Sequence, residues 1–480
     1  MSAQQGVRAA VLQMGASRGV ALAASAAGLL ALARLLPPSV FGAFAVIAAS
    51  VAVLEEACAF GLRHYLVREP RVARADFAQA AGLCAALCCG SALIVGAGLL
   101  AATPLLSAEH RDGALLALLA LAALPLTVPI ETALRREMRF GAVASAAALR
   151  AALEAGVAIA LAASGAGLLS LVLGLVAGRV GGAMLLLAAG RTLAVRPARG
   201  GWRRFTGFGR QVTIATLLPP LVGALTNVAV ASALGAATLG LFDRAMRVAG
   251  LFDQVVMEGL KPIALPVITR ALSEGTPEAR LYALKVEILA GLSWPVFAGI
   301  AVFAEPLVLV LLGEQWTGAV GALRILALSG LLLPFLRMAM KFFIAIGEEA
   351  AYLRVQTVSQ AAQLVLVLLG ALVSLEAVCV AVLLGRLVKA VLLARALGLP
   401  KRPLAVPVLR SAITAIAAVG GGLLAVAALP TVSPVPLPVA ELAAAITGCG
   451  LGAVAALLLT RHALVTLTLG RSLVIRGAGA

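Results

Sequence analysis

Apolar runs of about 20 residues, long enough to cross a bilayer, recur from end to end of this 480-residue chain. Hydrocarbon offers no water to exposed backbone groups, so each run reads as a helix that closes its own hydrogen bonds. Charged residues make up 12% of the sequence, against about 25% in an average soluble domain. No soluble domain of useful size fits between the runs. The formal net charge of +17 would point to nucleic acid in a soluble chain. Here basic inner loops account for it, and no nucleic-acid partner is expected.

Apolar runs bounded by Pro, Gly or charge give fourteen candidate spans. They lie at 10–34, 39–62, 77–102, 113–134, 140–163, 166–190, 209–234, 238–260, 282–312, 318–340, 350–373, 376–395, 405–429 and 438–460. The ninth holds Pro295 and Pro306, which predicts a kink or a tilt. Every second connection is basic. Arg63, Arg68, Arg71 and Arg74 form the first group, Arg135, Arg136 and Arg139 the next, and Arg191 to Arg210 the longest. Lys261, Arg270 and Arg280 follow, then Lys341, then Arg395, Lys401 and Arg402, and finally Arg461, Arg471 and Arg476. The alternate loops hold almost none, so the positive-inside rule puts both termini in the cytoplasm and requires an even number of spans. The N-terminus carries no small-residue cleavage signal, and the first helix is expected to be retained.

The chain also matches itself. A shift of 198 positions lays Phe41-Gly42-Ala43-Phe44 on Leu239-Gly240-Leu241-Phe242, and Gly61-Leu62-Arg63 on Gly259-Leu260-Lys261. A shift of 207 lays Gly178-Arg179-Val180 on Gly385-Arg386-Leu387. The expected organisation is an N-terminal six-helix lobe (1–190), a basic cytoplasmic linker (191–210) and a C-terminal six-helix lobe (211–400). Two extra transmembrane helices and a basic cytoplasmic tail follow (401–480). An even number of spans per copy relates the copies by a pseudo-two-fold axis along the membrane normal. Trp202, Phe205 and Phe208 interleave the linker arginines, which suits either a short interfacial helix or a solvated anchor. The uncharged, Pro-rich stretch Leu429 to Pro438 reads as a stiff outer loop.

Charges inside the apolar runs carry the functional signal. At roughly 100° per residue, Asp243, Arg244, Arg247, Gln254 and Glu258 share an arc of about 100° on one helix face. An ionisable residue at mid-membrane costs on the order of 2.5–3.5 kcal/mol, so this face must meet protein or a water-filled cavity. It is expected to line a transport path. The alternative is a salt-bridged stripe in which Asp243 and Arg247 pair at i, i+4. Further charges are Arg18, Glu55, Glu56, Glu131, Arg179, Arg337, Arg386 and Lys389, with Arg150 and Glu154 spaced to pair at i, i+4. Asn227 and a Gln356, Gln360, Gln363 stripe add neutral polar groups. Arg337 and Lys389 lie near cytoplasmic ends, where long stems can snorkel. Arginine outnumbers acid, and guanidinium forks grip phosphate oxygens bidentately. Arg18, Arg150, Arg244 and Arg247 are therefore the candidates for holding an anionic ligand in the cavity. Glu55, Glu56, Asp243, Asp253 and Glu258 are the candidates for coupling an ion.

The six cysteines lie in apolar runs without His or Asp neighbours and are expected to form neither disulfide nor metal site. Three His, no glycine-rich phosphate loop and no nucleophile elbow argue against an enzyme, against bound ATP and against any cofactor. Abundant Gly permits close helix contact, and Pro125, Pro129, Pro219, Pro220, Pro295 and Pro334 mark places to bend.

Arg34-Leu35-Leu36-Pro37-Pro38-Ser39-Val40-Phe41-Gly42, Leu134-Arg135-Arg136-Glu137-Met138-Arg139-Phe140, and Leu234 through Ala245 resemble bacterial polysaccharide-unit flippases. These belong to the multidrug/oligosaccharidyl-lipid/polysaccharide exporter superfamily, and the resemblance extends to about residue 400. It implies an all-α polytopic membrane protein of about 14 transmembrane helices, with two six-helix repeats around a central cationic cavity. It implies alternating access, with undecaprenyl-diphosphate-linked glycan moved from the inner to the outer leaflet of the cytoplasmic membrane. Membrane lipids, a polysaccharide polymerase and a chain-length regulator are the partners expected with that role. In related peptidoglycan-precursor flippases the functional arginines lie on the first and eighth helices, which here match Arg18 and Arg244 or Arg247. The chain departs from the pattern in its few aromatics, 4%, which sugar-binding surfaces use for stacking. A cation-coupled drug exporter of the same superfamily would want an acidic, aromatic pocket. A membrane polymerase or ligase of lipid-linked glycans would want a large outer loop with catalytic Arg or His, and a structural scaffold would want neither.

Overall fold

The computed structural model describes residues 3–101, 107–191, 195–250, 277–337, 339–398, 401–429 and 437–460. Among them the secondary structure is helical throughout, and eleven helices are long and apolar enough to cross a membrane. The all-α polytopic architecture is as the sequence implies. The first expected span lies within a helix from Ala3 to Leu35, the part of the eighth beyond residue 250 lies outside the described residues, and the tenth is broken. The helices fall into two compact units, Met1–Gly240 and Leu241–Ala480.

The first unit holds α1 (Ala3–Leu35), α2 (Pro38–Ala59), α3 (Leu62–Arg68), α4 (Arg74–Ala101) and α5 (Ala108–Ala117). A 3-10 segment (Leu118–Ala123), α6 (Leu124–Arg136), α7 (Phe140–Ala163), α8 (Leu168–Ala189) and α9 (Arg203–Leu234) follow. The next helix, α10, covers residues 236–250. Pro38 sits at the start of α2, where its missing N–H costs nothing. Between α2 and α3 the chain turns through left-handed backbone at Phe60 and Gly61, φ +44° and +62°. Glycine takes that conformation without strain, and here it also admits the Gly209 carbonyl. The fourth expected span is α5, the 3-10 segment and α6 in series. Pro125 cannot donate to the carbonyl four residues back, which favours the tighter turn before it.

Arg203 opens α9, which runs unbroken for 32 residues through Pro219 and Pro220. From Arg203 onward the expected linker forms the first turns of α9 rather than a separate helix. Phe205 is fully buried with its ring edge-on to Tyr65, centroids 5.0 Å apart. Arg204 covers the Phe205 ring and pairs with Asp76. Burying a phenylalanine stabilises by about 1.5–3 kcal/mol relative to leaving it exposed. Asn227 on α9 donates to the Ala45 carbonyl of α2 at 3.1 Å. A Cβ at Gly42 would strike the Ala236 carbonyl, and one at Gly240 the Pro38 carbonyl. These close approaches pack α9 and the start of α10 against α2 within the first unit.

The second unit continues from Leu241 with α11 (Glu278–Val302), α12 (Ala304–Leu311), a 3-10 segment (Glu314–Ala319) and α13 (Val320–Gly330). Then come α14 (Leu333–Leu336), α15 (Ala339–Ala345), α16 (Glu349–Ala371), α17 (Leu375–Ala396), α18 (Lys401–Ala427) and α19 (Leu437–Leu459). The expected kink in the ninth span is a break at Phe303, because Pro306 has no N–H to give the carbonyl four residues earlier. The tenth span stops at Gly330, restarts as the single turn α14 with Pro334 near its start, and stops again at Arg337. The two extra helices are tied in. Arg410 of α18 pairs with Glu287 of α11 at 3.3 Å, and Gly421, Gly448 and Gly452 bring α18 against α19. Of the expected outer loop, residues 430–436 lie outside the described residues, as do Lys261, Arg270 and the tail arginines.

Gly42→Leu has no space against Ala236 and is expected to cost at least about 1–3 kcal/mol from overpacking. Gly90→Ala meets nothing within 4 Å. Thermal unfolding of detergent-purified protein should show a lowered midpoint for the first and none for the second.

Candidate functional site

Glycine spacing builds the polar interior of the first unit. Gly174, Gly178 and Gly182 recur every fourth residue and so share one face of α8. Cβ atoms on the first two would lie 2.7 Å from the Glu154 carbonyl and 2.8 Å from the Arg150 carbonyl of α7. That close packing carries Arg179, the neighbour of Gly178, toward α2. Its Nε and Nη2 donate to Oε1 and Oε2 of Glu55 at 2.5 and 3.1 Å. Both side chains are mostly covered, 13% and 18% exposed, and Glu154 stands 4.0 Å from the same guanidinium.

Beside this pair lies a cavity of about 210 Å³. Glu55, Arg63, Glu131, Arg135, Arg150 and Arg179 provide its charged lining, and small apolar residues of the 3-10 segment, α7 and α8 complete it. Glu131 accepts from Arg135 at 2.6 and 3.0 Å. The expected Arg150–Glu154 pair does not form. Glu154 faces Arg179, and Arg150 makes no hydrogen bond or ion pair among the described residues, its side chain lining the cavity instead. Arg63 Nε is buried and has no hydrogen-bond partner. Arg136 fixes the neighbouring α3, donating to the Leu66, Glu69 and Pro70 carbonyls at 2.8, 2.7 and 3.1 Å. Glu56 is half-buried on α2, and Arg18 lies on α1, its side chain outside the described residues.

In the second unit the 243–247 cluster is present. Arg244 donates to Asp243 Oδ2 at 2.7 and 3.1 Å, and Arg247 Nε reaches Oδ1 and Oδ2 of the same carboxylate at 3.2 and 2.9 Å. The i, i+4 pair that the sequence offered as an alternative is thus formed, and Arg244 joins it. Arg244 is nearly covered, whereas the Arg247 side chain keeps 49% of its exposure. Gln254, Asp253 and Glu258 lie outside the described residues.

Lys389, Arg386 and Lys285 of this unit meet neutral groups. Lys389 donates to Gln356 Oε1 at 2.6 Å, turning inward where snorkelling was expected. Gln356 is buried, and a short inward bond to it replaces the hydration that a snorkelling ammonium would keep. Arg386 donates to Ser329 at 2.6 Å. Lys285, which sequence reasoning passed over, stands 3.7 Å from the Tyr282 ring centroid and donates to the Arg337 carbonyl at 3.3 Å. A lone lysine inside the apolar run was the signal for it. All six cysteines are free, and no cluster of His, Cys, Asp or Glu suited to a metal occurs among the described residues. Chemically, the arrangement suits binding of anions.

Residues 31–321 match the family described as polysaccharide biosynthesis protein. A stretch of 102 residues is 31% identical to the succinoglycan biosynthesis transport protein ExoT of Rhizobium meliloti (strain 1021), and the match spans 21% of each chain. The fold is similar to that of the lipid II flippase MurJ in an inward closed conformation, TM-score 0.72 at 11% identity, over 95% of this chain and 99% of that one. An inward-facing multidrug resistance MATE family transporter of the MOP superfamily gives a TM-score of 0.56 at 18% identity, over 82% of this chain and 94% of that one. A MOP superfamily transporter from Pyrococcus furiosus Vc1 gives 0.53 at 19% identity, over 85% and 95%.

Removing one partner of a mostly covered ion pair strands the other, at a cost of about 3–5 kcal/mol, whereas replacing both with apolar side chains is close to neutral. Glu55→Leu alone should therefore lower the thermal midpoint well below wild type. The Glu55→Leu, Arg179→Met double variant should regain most of the loss, which a two-by-two cycle of melting curves would measure.

Proposed function

Because the chain belongs to the polysaccharide biosynthesis protein family, we propose that it flips undecaprenyl-diphosphate-linked oligosaccharide units from the inner to the outer leaflet of the bacterial cytoplasmic membrane. The destination is capsule, exopolysaccharide or O-antigen assembly, in company with a polymerase and a chain-length regulator. The fold shared with a lipid II flippase supports this reading, and the relative named for succinoglycan transport agrees with it. The observation that carries it is an interior in which guanidinium groups exceed carboxylates, Arg63 and Arg150 having no protein counter-charge among the described residues.

In this mechanism Arg18, Arg150, Arg244 and Arg247 hold the diphosphate while the lipid tail stays in the bilayer. Two six-helix lobes, 1–190 and 211–400, alternate in access, with both termini cytoplasmic. The interrupted spans at 108–136 and 304–345 supply places to bend. Coupling falls to Glu55, Glu56, Asp243, Asp253 and Glu258. Protonating Glu55 would release Arg179, and protonating Asp243 would release Arg244 and Arg247, so a proton would trade places with an anionic ligand.

A cation-coupled exporter is the competing reading, favoured by the similarity to MATE transporters. An arginine-lined chamber disfavours organic cations. Arg18→Gln, Arg150→Gln and Arg247→Gln, each tested in a strain lacking its own flippase, should cut polysaccharide export at least about tenfold, since a charge-assisted hydrogen bond is worth roughly 1.5–3 kcal/mol. Lipid-linked units should accumulate on the inner face. Normal export by all three at normal expression would overturn the site, and drug resistance without any effect on polysaccharide would overturn the flippase reading.

A further inference from the structure

The cavity of the first unit has an unbalanced lining. Four guanidiniums, Arg63, Arg135, Arg150 and Arg179, face two carboxylates, Glu55 and Glu131. Both carboxylates are engaged, Glu55 by Arg179 and Glu131 by Arg135. Arg63 and Arg150 remain, the first with a buried Nε that bonds to nothing, the second without any bond among the described residues. A buried guanidinium nitrogen without an acceptor is costly, and a half-satisfied polar cluster is worse than an apolar one. With Glu154 standing 4.0 Å from Arg179, the guanidiniums still exceed the carboxylates by one, and an anion would balance the lining.

Size narrows the class. A volume of about 210 Å³ holds roughly seven waters at ~30 Å³ each. It is below the ~300–1,000 Å³ of pockets that enclose drug-sized ligands. One or two phosphate groups fit. The fork of a guanidinium matches two phosphate oxygens at once, and Arg63 and Arg150 approach from different helices, α3 and α7.

We propose that this chamber is a binding site for a phosphate-class oxyanion, mono- or diphosphate, held by Arg63 and Arg150 with Arg135 and Arg179 behind them. It shares Arg150 with the export mechanism and otherwise stands apart from it, since it lies wholly within one unit and requires no translocation. The phosphate comes either from a lipid headgroup or free from solution. Its chemistry is the same in both cases.

Inorganic diphosphate titrated into detergent-purified full-length protein, followed by calorimetry, tests the free form. Native mass spectrometry of protein reconstituted with phosphatidic acid or with phosphatidylcholine tests the headgroup form. Wild type should bind diphosphate or retain phosphatidic acid, and should not retain phosphatidylcholine. Arg63→Gln and Arg150→Gln should weaken binding at least about tenfold, Arg63→Lys less, because a lysine keeps the charge and loses the fork. Arg354→Gln, an exposed position in the other unit, should bind as wild type. Diphosphate binding alone assigns the free source, phosphatidic acid retention alone the headgroup. Binding of neither probe by wild type, or binding unchanged in both Arg63→Gln and Arg150→Gln with their melting curves intact, overturns the proposal. Export that depends on Arg247 in a protein binding neither probe would remove this site and leave the flippase reading standing.

Discussion

A guanidinium or ammonium placed in a hydrocarbon layer must find an acceptor, water or an anion, and the polar architecture of this chain follows from that requirement. The acceptors vary. Arg179 takes a carboxylate, Arg136 takes three backbone carbonyls at the end of α3, Arg386 takes a hydroxyl and Lys389 an amide. Lys285 rests against an aromatic face. With so many cations satisfied by groups already in the fold, the exceptions in the first-unit chamber gain meaning. Arg63 and Arg150 stand where the supply of acceptors ends.

Small residues make this economy of acceptors workable. Between lipid-embedded helices there is little hydrophobic driving force, so backbone approach through glycine supplies dispersion contact in its place. Gly178 on α8 and Gly385 on α17 occupy matching positions of the repeat, and each presses against a polar-bearing partner helix, Arg150 and Glu154 in one unit and Gln363 in the other. The arginine that follows each glycine is delivered to a neighbouring element, Arg179 to Glu55 and Arg386 to Ser329. In both units a glycine sets the helix contact, and the acceptor that the next arginine meets differs. The fourth span of each repeat is also interrupted, by a 3-10 segment before α6 and by the turn at Leu331-Leu332 before α14. Proline lies close to both breaks, Pro125 and Pro334.

The tie between α18 and α11 shows a limit of pattern reading. Spans beyond the repeat have no counterpart to be aligned with, and nothing in the sequence singles out Arg410. Its partner Glu287 lies 123 positions earlier, and no local periodicity links them. Phe205 is a similar case. An aromatic between arginines suits an interface, and only the placement of Tyr65 at the end of the α2–α3 turn makes a buried edge-on contact available.

The sequence by itself determined the helical membrane class, most of the spans and the residues at which charge enters them. Those properties depend on composition and period over 20 or so neighbours, and hydrocarbon enforces them locally. It also determined the Asp243–Arg247 pair, since one turn of helix brings the two side chains together. Which carboxylate Arg179 meets was decided by tertiary structure alone. Arg150 and Glu154 are one turn apart, yet the glycine face of α8 delivers Arg179 to Glu55 and within 4.0 Å of Glu154, and Arg150 is left lining the chamber. The competition is between a flexible local pair and a packed, bidentate distant one, and only the second is held in place by helices that already touch.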